Sequence, residues 1–513
     1  MMLKETVVPR DYQTNIAKVA SEKSTLVVMP TGTGKTLIAV LVAIDRLEKY
    51  PESKIMLMAP TKPLVEQHAK SFLDSTYVEK HDVVVLSGRI VPEDRREFYK
   101  IAKIIVATPQ TIENDLDNGV LRLDDFSLLV VDECHRSVKK YAYPAVAKKF
   151  MLQSKHPLIL GLTASPGSSK EKIDEICQNL FIDTVEIRSD IDEDIEKYVQ
   201  PIQKEDIYVE LPLEFKKAKM FFEEALKEDV YWLKEKHYIP IYTPPKKMLL
   251  DLQKRIIGSF IRGNKNPAMF AAMTKVISAI KIRYMLELLE TQGISYVHDY
   301  ITGLENSKKR NDKIVVNDVR VREAKKIIDE LYVRGIEHPK MEKIIEIIKQ
   351  MLESKRNARI ICFANYRATV DKINNQLKNI GISSEVLIGQ TMKEGKGLSQ
   401  QEQVEILGEF NTGAFNVLIA SSIGEEGLSI SDVDVVIFYD AVASEIRRIQ
   451  RIGRTGRNAP GKVIFLITKD SIDQAYYFAS IAKEKKMKNI LYGMKKKGVT
   501  KRKQNLIDFT KGE

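Results

Sequence analysis

Six residues, Thr31-Gly32-Thr33-Gly34-Lys35-Thr36, stand between an apolar run at 25–29 and a helical pattern at 37–50. Strand, glycine turn and helix in that order make a phosphate cradle, because small residues let backbone N–H groups and the helix N-terminus converge on one anion. In that geometry Lys35 reaches the β- and γ-phosphates of ATP, and the Thr36 hydroxyl sits on Mg²⁺. Met29 occupies the place where the full G-x-x-x-x-G-K-T pattern has glycine, so the match is to the TGxGKT variant. A second stretch, Asp132-Glu133-Cys134-His135, closes the apolar run 128–131. There Asp132 would hold Mg²⁺ through water, and Glu133 would orient and deprotonate an attacking water, since phosphoryl transfer asks mainly for positioning and charge stabilisation. Paired acids also end ordinary solvated strands; the phosphate loop gives this pair its reading.

A third stretch is Gln450-Arg451-Ile452-Gly453-Arg454-Thr455-Gly456-Arg457. Glycines at a helix end let Arg454 and Arg457 project in one direction, and arginines inserted from a neighbouring domain neutralise the transferring phosphoryl group. The alternative is a basic helix end that binds nucleic acid. No second phosphate loop accompanies it, which favours the finger. Ahead of the loop, Gln13 follows Pro9-Arg10-Asp11-Tyr12 on a short helix, where its amide could read an adenine edge as donor and acceptor together; a solvated glutamine is the alternative.

These residues need elements to position them. Continuous Val/Ile/Leu runs at 54–59, 82–86, 103–107, 128–131 and 158–162, separated by helical segments, predict strands buried on both faces of a parallel sheet. Ligands of such sheets gather at the strands' carboxyl ends. Ala59-Pro60-Thr61-Lys62-Pro63, Ser87-Gly88-Arg89, Thr108-Pro109-Gln110-Thr111 and Thr163-Ala164-Ser165 all fall there, offering hydroxyls, backbone N–H groups or cations suited to phosphates. The pattern recurs at 359–363, 384–388, 416–420, 434–439 and 462–467, predicting a second α/β domain without a phosphate loop of its own.

TGTGKT, DECH, TAS and QRIGRTGR, in this order across two α/β domains, resemble a superfamily 2 helicase over most of the chain. Gly389-Gln390, Lys396-Gly397-Leu398-Ser399-Gln400-Gln401-Glu402-Gln403 and Gly424-Glu425-Glu426-Gly427-Leu428 are similar to the archaeal Hef and Fanconi anaemia M helicases, which remodel forked and branched DNA. The resemblance implies two RecA-like domains around an ATP cleft. Thr31, Lys35, Thr36, Asp132 and Glu133 would form one wall, and Gln450, Arg454, Arg457 and Gly427 the other. It also implies that Thr61, Lys62, Ser87, Gly88, Thr108, Arg367 and Ser421 touch the nucleic-acid backbone. Where relatives read Gly-Leu-Asp this chain has Gly427-Leu428-Ser429, which lacks the carboxylate that would contact the ATP ribose.

Between the halves the composition turns to long Lys-, Glu- and Leu-rich amphipathic helices, at 214–236, 246–262, 269–291 and 319–332, punctuated by Pro244-Pro245 and by residues 263–267. The Hef group and its Dicer-type and RNA-sensing cousins carry an insertion here. Lys246, Lys247, Lys254, Arg255, Arg262, Lys265, Lys308, Lys309 and Arg310 could grip a duplex backbone; solvated helix faces are the alternative. The expected domains are 1–205 and 335–490, both RecA-like, the helical insert 206–334, and a basic, flexible tail 491–513.

A chain of 513 residues fits two or three domains, and 44% hydrophobic residues exclude a largely disordered chain. Net charge +11 favours a polyanionic partner, nucleic acid or an acidic membrane face. No run approaches the roughly 20 apolar residues of a membrane span, and residues 1–10 carry no signal-peptide core, so a soluble, intracellular protein is expected. Cys134, Cys177 and Cys362 lack C-x-x-C spacing and read as reduced core thiols. Full-length archaeal Hef continues into an XPF-type nuclease, whose acidic signature these residues lack, so a truncated or nuclease-free chain is expected. Residues 503–509 faintly resemble a sliding-clamp-binding peptide, but the glutamine is one position off, which argues against a clamp. The leading expectation is an ATP-dependent translocase on branched DNA in repair or recombination. The alternatives are a double-stranded RNA helicase and an ATP-switched binding module that does not translocate; Glu133, Arg454 and Arg457 argue against the last.

Overall fold

The computed structural model describes all residues except 89, 191, 199, 265, 390–396, 422–432, 457–458 and 500–513. Strands β1 (Thr25–Val28), β2 (Lys54–Met58), β3 (Val83–Leu86), β4 (Ile104–Ala107), β5 (Phe126–Val131), β6 (Ile159–Thr163) and β7 (Thr184–Ile187) form one parallel sheet in the order β3-β4-β2-β5-β6-β1-β7. Alternation along each strand feeds two cores: Leu26, Val28, Met56 and Met58 face one helical layer, while Val27, Met29, Ile55 and Leu57 face the other. Each such side chain contributes about 1.5–3 kcal/mol on burial, which is why these strands read as unbroken apolar runs.

Strands β8 (Ile202–Val209), β9 (Ile360–Phe363), β10 (Ser384–Leu387), β11 (Val417–Ala420), β12 (Val435–Phe438) and β13 (Gly461–Thr468) form a second parallel sheet, in the order β10-β11-β9-β12-β13-β8. The boundary expected at 205 therefore falls inside a strand. β8 runs alongside β13 from Ile202↔Gly461 to Val209↔Thr468 and belongs to the second domain, not to the first or to the insert. It lies at the sheet's edge with Gln203, Lys204, Asp206 and Tyr208 exposed, and so has no apolar run to announce it.

The insert contains the four expected helices, Leu213–Glu235, Lys246–Ile261, Pro267–Thr291 and Val319–Val333, together with Ile294–Glu305 and Arg310–Asn317, which the pattern did not reveal. Phe215, Phe222, Met285, Leu289, Ile301 and Ile328 pack its base. Leu233, Leu249, Ile256 and Val276 pack a separate tip. The helix Pro267–Thr291 spans both.

The chain after 490 is not a flexible tail from its start. Helix Ile472–Lys497 begins on the second domain, with Tyr477 in that core, and ends on the first, where Met487, Leu491 and Met494 are buried. Lys488 pairs with Asp190 at 3.2 Å and Lys495 with Glu186 at 2.9 Å. This helix thus ties the two domains together a second time, besides the chain connection from β7 to β8. The clamp-like residues 503–509 lie outside the described residues. Cys134, Cys177 and Cys362 are buried and unbridged, and burial pushes each thiol up, Cys177 to about 12. Among the described residues no helix is long and apolar enough to cross a membrane.

Candidate ATP site and nucleic-acid edge

The loop 31–34 leaves the carboxyl end of β1 and enters helix Lys35–Lys49. Gly32 and Gly34 both take φ +80, a left-handed backbone that a Cβ disfavours and that turns successive N–H groups inward. The Lys35 ammonium folds over the loop onto the carbonyls of Met29 and Pro30, each at 3.0 Å. Thr33 donates its hydroxyl to the Pro30 carbonyl at 2.7 Å, and the Tyr12 hydroxyl donates to the Thr33 carbonyl at 2.7 Å.

Gln13 is buried against the same loop. Its Nε2 donates to the Thr33 carbonyl at 3.2 Å, its Oε1 accepts from the Arg10 N–H at 2.9 Å, and a Cβ on Gly34 would lie 2.3 Å from Nε2. The amide thus braces the phosphate loop and caps its own helix.

Asp132 directly follows β5 and is buried. Its Oδ2 accepts from His68 Nε2 at 2.8 Å, a partner that the sequence did not single out. Burial alone would raise this carboxyl; His68 and the nearby Lys35 ammonium outweigh it and hold the group below the ordinary carboxylate range. His68 sits on the apolar face of helix Lys62–Ser75, where a lone histidine reads as core, so no sequence signal marked it. Glu133 adopts φ 47, ψ 44, an uncommon conformation outside glycine, and its Oε2 lies 3.2 Å from His135 Nδ1. The same nitrogen is 3.3 Å from the Thr163 hydroxyl at the end of β6. Thr163 Oγ1 accepts from the Ser165 N–H at 3.1 Å, and the Ser165 hydroxyl donates to Met487 Sδ at 3.0 Å on the bridging helix. DECH and TAS are therefore one connected unit reaching to the second domain's last helix.

Helix Glu445–Ile452 carries Gln450, with Arg454 just beyond its end, and both are buried. Its terminal turn touches the phosphate loop directly: a Cβ on Gly453 would lie 1.4 Å from Thr31 Oγ1 and 2.7 Å from Thr31 Cβ. A cavity of about 480 Å³ lies beside this contact, lined by loop residues 30–33, Arg188, Tyr198, Ile202, Ile452 and Met487 among others. Rotating Thr31 cannot relieve the clash, because its Cβ is also too near. Gly453→Ala should therefore hold the domains apart while leaving each folded, since φ −67 suits alanine. ATP turnover should fall at least tenfold, part of the roughly 10³–10⁵ that an arginine finger supplies, with little change in melting temperature. Unchanged turnover would mean that this apposition is not the working one. Arg457 and Gly427 lie outside the described residues.

The expected backbone-contacting residues cluster at two sheet edges. Thr61 and Lys62 follow β2, Ser87 and Gly88 follow β3, and Thr108 follows β4, three neighbouring strands at the end of the sheet away from β1. Thr61 and Thr108 each stand at a helix N-cap, and Thr108 Oγ1 is 2.9 Å from Thr111 Oγ1. In the second sheet Arg367 follows β9 and Ser421 follows β11. Arg367 Nη2 donates to the Gly389 carbonyl at 3.0 Å, and the Ser421 N–H to the Leu387 carbonyl at 3.0 Å. Lys254, Arg255 and Arg262 lie apart from these, exposed at the insert's tip. Lys246 is not available in the same way: it pairs with Glu287 at 2.6 Å.

Residues 6–168 match the family described as "Type III restriction enzyme, res subunit", residues 214–353 "Putative ATP-dependent RNA helicase, helical bundle", and residues 339–459 "Helicase conserved C-terminal domain". A "Putative ATP-dependent RNA helicase" of Methanocaldococcus jannaschii is 42% identical over 492 residues, 96% of this chain and 61% of that protein. "ATP-dependent DNA helicase fml1" of Schizosaccharomyces pombe is 32% identical over 499 residues, 94% of this chain and 60% of its own length. The chain thus spans about 60% of these curated relatives. The crystal structure of the Pyrococcus furiosus Hef helicase domain superposes with a TM-score of 0.74 at 42% identity, covering 94% of this chain and all of that one. The chain belongs to the superfamily 2 helicases of the Hef and Fanconi anaemia M type.

Proposed function

We propose that this protein is an ATP-driven translocase that unwinds or remodels forked and branched DNA. The contact of the Gly453 turn with Thr31 supports the reading most directly, because it brings the carrier of Arg454 onto the phosphate loop. Lys35 serves the β- and γ-phosphates, Glu133 the attacking water, and Arg454 and Arg457 the charge that develops in transfer, with Gln450 beside them. Thr36 and Asp132 offer the hard oxygen donors that magnesium takes, and an ionised Asp132 suits that part. The ion, when bound, screens phosphate charge. Closure on nucleotide and reopening after hydrolysis would shift the edge formed by Thr61, Lys62, Ser87, Gly88 and Thr108 against that formed by Arg367 and Ser421. Such a shift moves a strand held across both.

DNA as substrate is supported by the name of the fission-yeast relative, a DNA helicase, and by the likeness to the Hef domain. The archaeal relative's name points to RNA, so ATPase stimulation by forked DNA, linear duplex and double-stranded RNA is the test. Forked DNA should stimulate most and be displaced; stimulation by duplex RNA alone would overturn the DNA reading. We further propose that the insert's tip holds duplex backbone. Replacing Lys254, Arg255 and Arg262 together by alanine should weaken fork binding and lower its log–log salt slope by about 0.9 for each phosphate that is no longer neutralised. An unaltered slope would show these cations to be merely solvated.

A further inference from the structure

The insert is not merely tethered to the second domain; one of its side chains is built into that domain's buried polar network. Gln292 caps the helix Pro267–Thr291 at the insert's base and is 2% exposed. Its Oε1 accepts from the Thr369 hydroxyl at 2.6 Å, and its Nε2 donates to Asp440 Oδ1 at 2.7 Å. The other oxygen of Asp440 accepts the Asn365 N–H at 2.6 Å. Asn365 Oδ1 in turn accepts from Arg451 Nη2 at 3.2 Å. Arg451 is fully buried, its guanidinium over the rings of Phe363 at 4.8 Å and Phe438 at 5.7 Å. It stands directly after Gln450 on the helix whose end carries Arg454.

Everything around Gln292 keeps it in register. A Cβ on Gly293, at φ +105, would lie 2.9 Å from His338 Cβ, so the helix end fits the second domain without slack. Two residues earlier the Glu290 carboxylate accepts the Ile472 N–H at 2.7 Å and pairs with Lys219 at 2.7 Å. The helix itself is 25 residues long, a rod of about 37 Å at 1.5 Å per residue, and its far end packs beneath the helix that bears Lys254 and Arg255. The rod thus joins the tip to the helix end that carries Gln292.

We propose that Gln292 is a positioning residue through which nucleic acid held by the insert sets the finger helix, acting by way of Asp440, Asn365 and Arg451. This rests on the translocase reading above and deepens it: the insert regulates turnover as well as supplying grip. Buried networks of this kind transmit strain because each acceptor is already committed, so a displaced amide has no water to turn to. The expected coupling is of the ordinary size, about five- to 150-fold in rate or affinity.

The test compares ATPase kinetics of the full 513-residue chain with and without forked DNA, in the unaltered protein and in Gln292→Leu, Asp440→Asn and Thr369→Val. Asp440→Asn keeps the shape but offers one acceptor where two donors converge. Thr369→Val keeps the shape and removes one donor, so it carries the comparison should Gln292→Leu fail to fold. The expected result is unchanged kcat without DNA, unchanged KM for ATP and unchanged fork affinity, with DNA stimulation cut about tenfold. Full stimulation in the folded variants would overturn the relay and leave the translocase standing. So would an equal fall of kcat with and without DNA, the mark of a purely structural role. An unaltered chain that forked DNA does not stimulate would overturn the translocase reading and the relay with it.

Discussion

Lys35→Ala should abolish ATP turnover while leaving the fold intact. The ammonium lies over the phosphate loop, 3.0 Å from the carbonyls of Met29 and Pro30, within reach of any anion bound beneath it. Removing one preorganised donor of this kind costs about 10²–10³ in kcat, and a full positive charge on the transferring group is no weaker a contributor. The side chain is only half-buried and packs no core, so thermal unfolding should shift little. Turnover at the unaltered rate would sink the phosphate-loop reading outright. A loss of turnover accompanied by unfolding would instead mark Lys35 as structural.

Arg454→Ala has the next largest expected effect, a fall of about 10³ or more in kcat with ATP affinity retained. An arginine that meets charge developing in the transition state alters kcat and leaves ground-state binding largely alone. Its position supports this assignment: it is buried one residue beyond Gly453, in the turn that abuts Thr31. Arg457→Ala is expected to behave alike. Single-turnover hydrolysis and nucleotide titration separate the two quantities. Normal turnover with impaired nucleic-acid binding would favour the basic helix end over the finger.

The residues proposed for the site's chemistry stand close together in the sequence because phosphate binding is local. A turn that cradles a phosphate needs its glycines and lysine adjacent in sequence, and a metal-bearing carboxylate needs only the end of one buried strand. Burial among helices and neighbouring strands likewise writes itself into composition, which is why eleven strands, β1–β6 and β9–β13, could be read as apolar runs. The edge strands β7 and β8 carry polar residues on their open side and left no such run. Two sites in the first domain show the limit from the other direction. His68 reads as a core histidine from its helix, and only the fold brings it to Asp132 from 64 residues away. Gln13 reads from its helix as a base sensor or a solvated side chain, and only the fold buries it against Gly34.

The end of the chain carried a signal that its charge concealed. Met487, Leu491 and Met494 recur at helical spacing and mark one buried face, but Lys495, Lys496 and Lys497 made the stretch look solvated. Neither periodicity nor charge says which domain such a face will meet. That β8 crosses to the second sheet, that the last helix returns to the first domain, and that Gln292 joins Asp440 across 148 residues were decided by tertiary packing alone. Sequence determines which surfaces must be buried and which groups can do chemistry; the pairing of distant surfaces depends on shapes that exist only once the domains have formed.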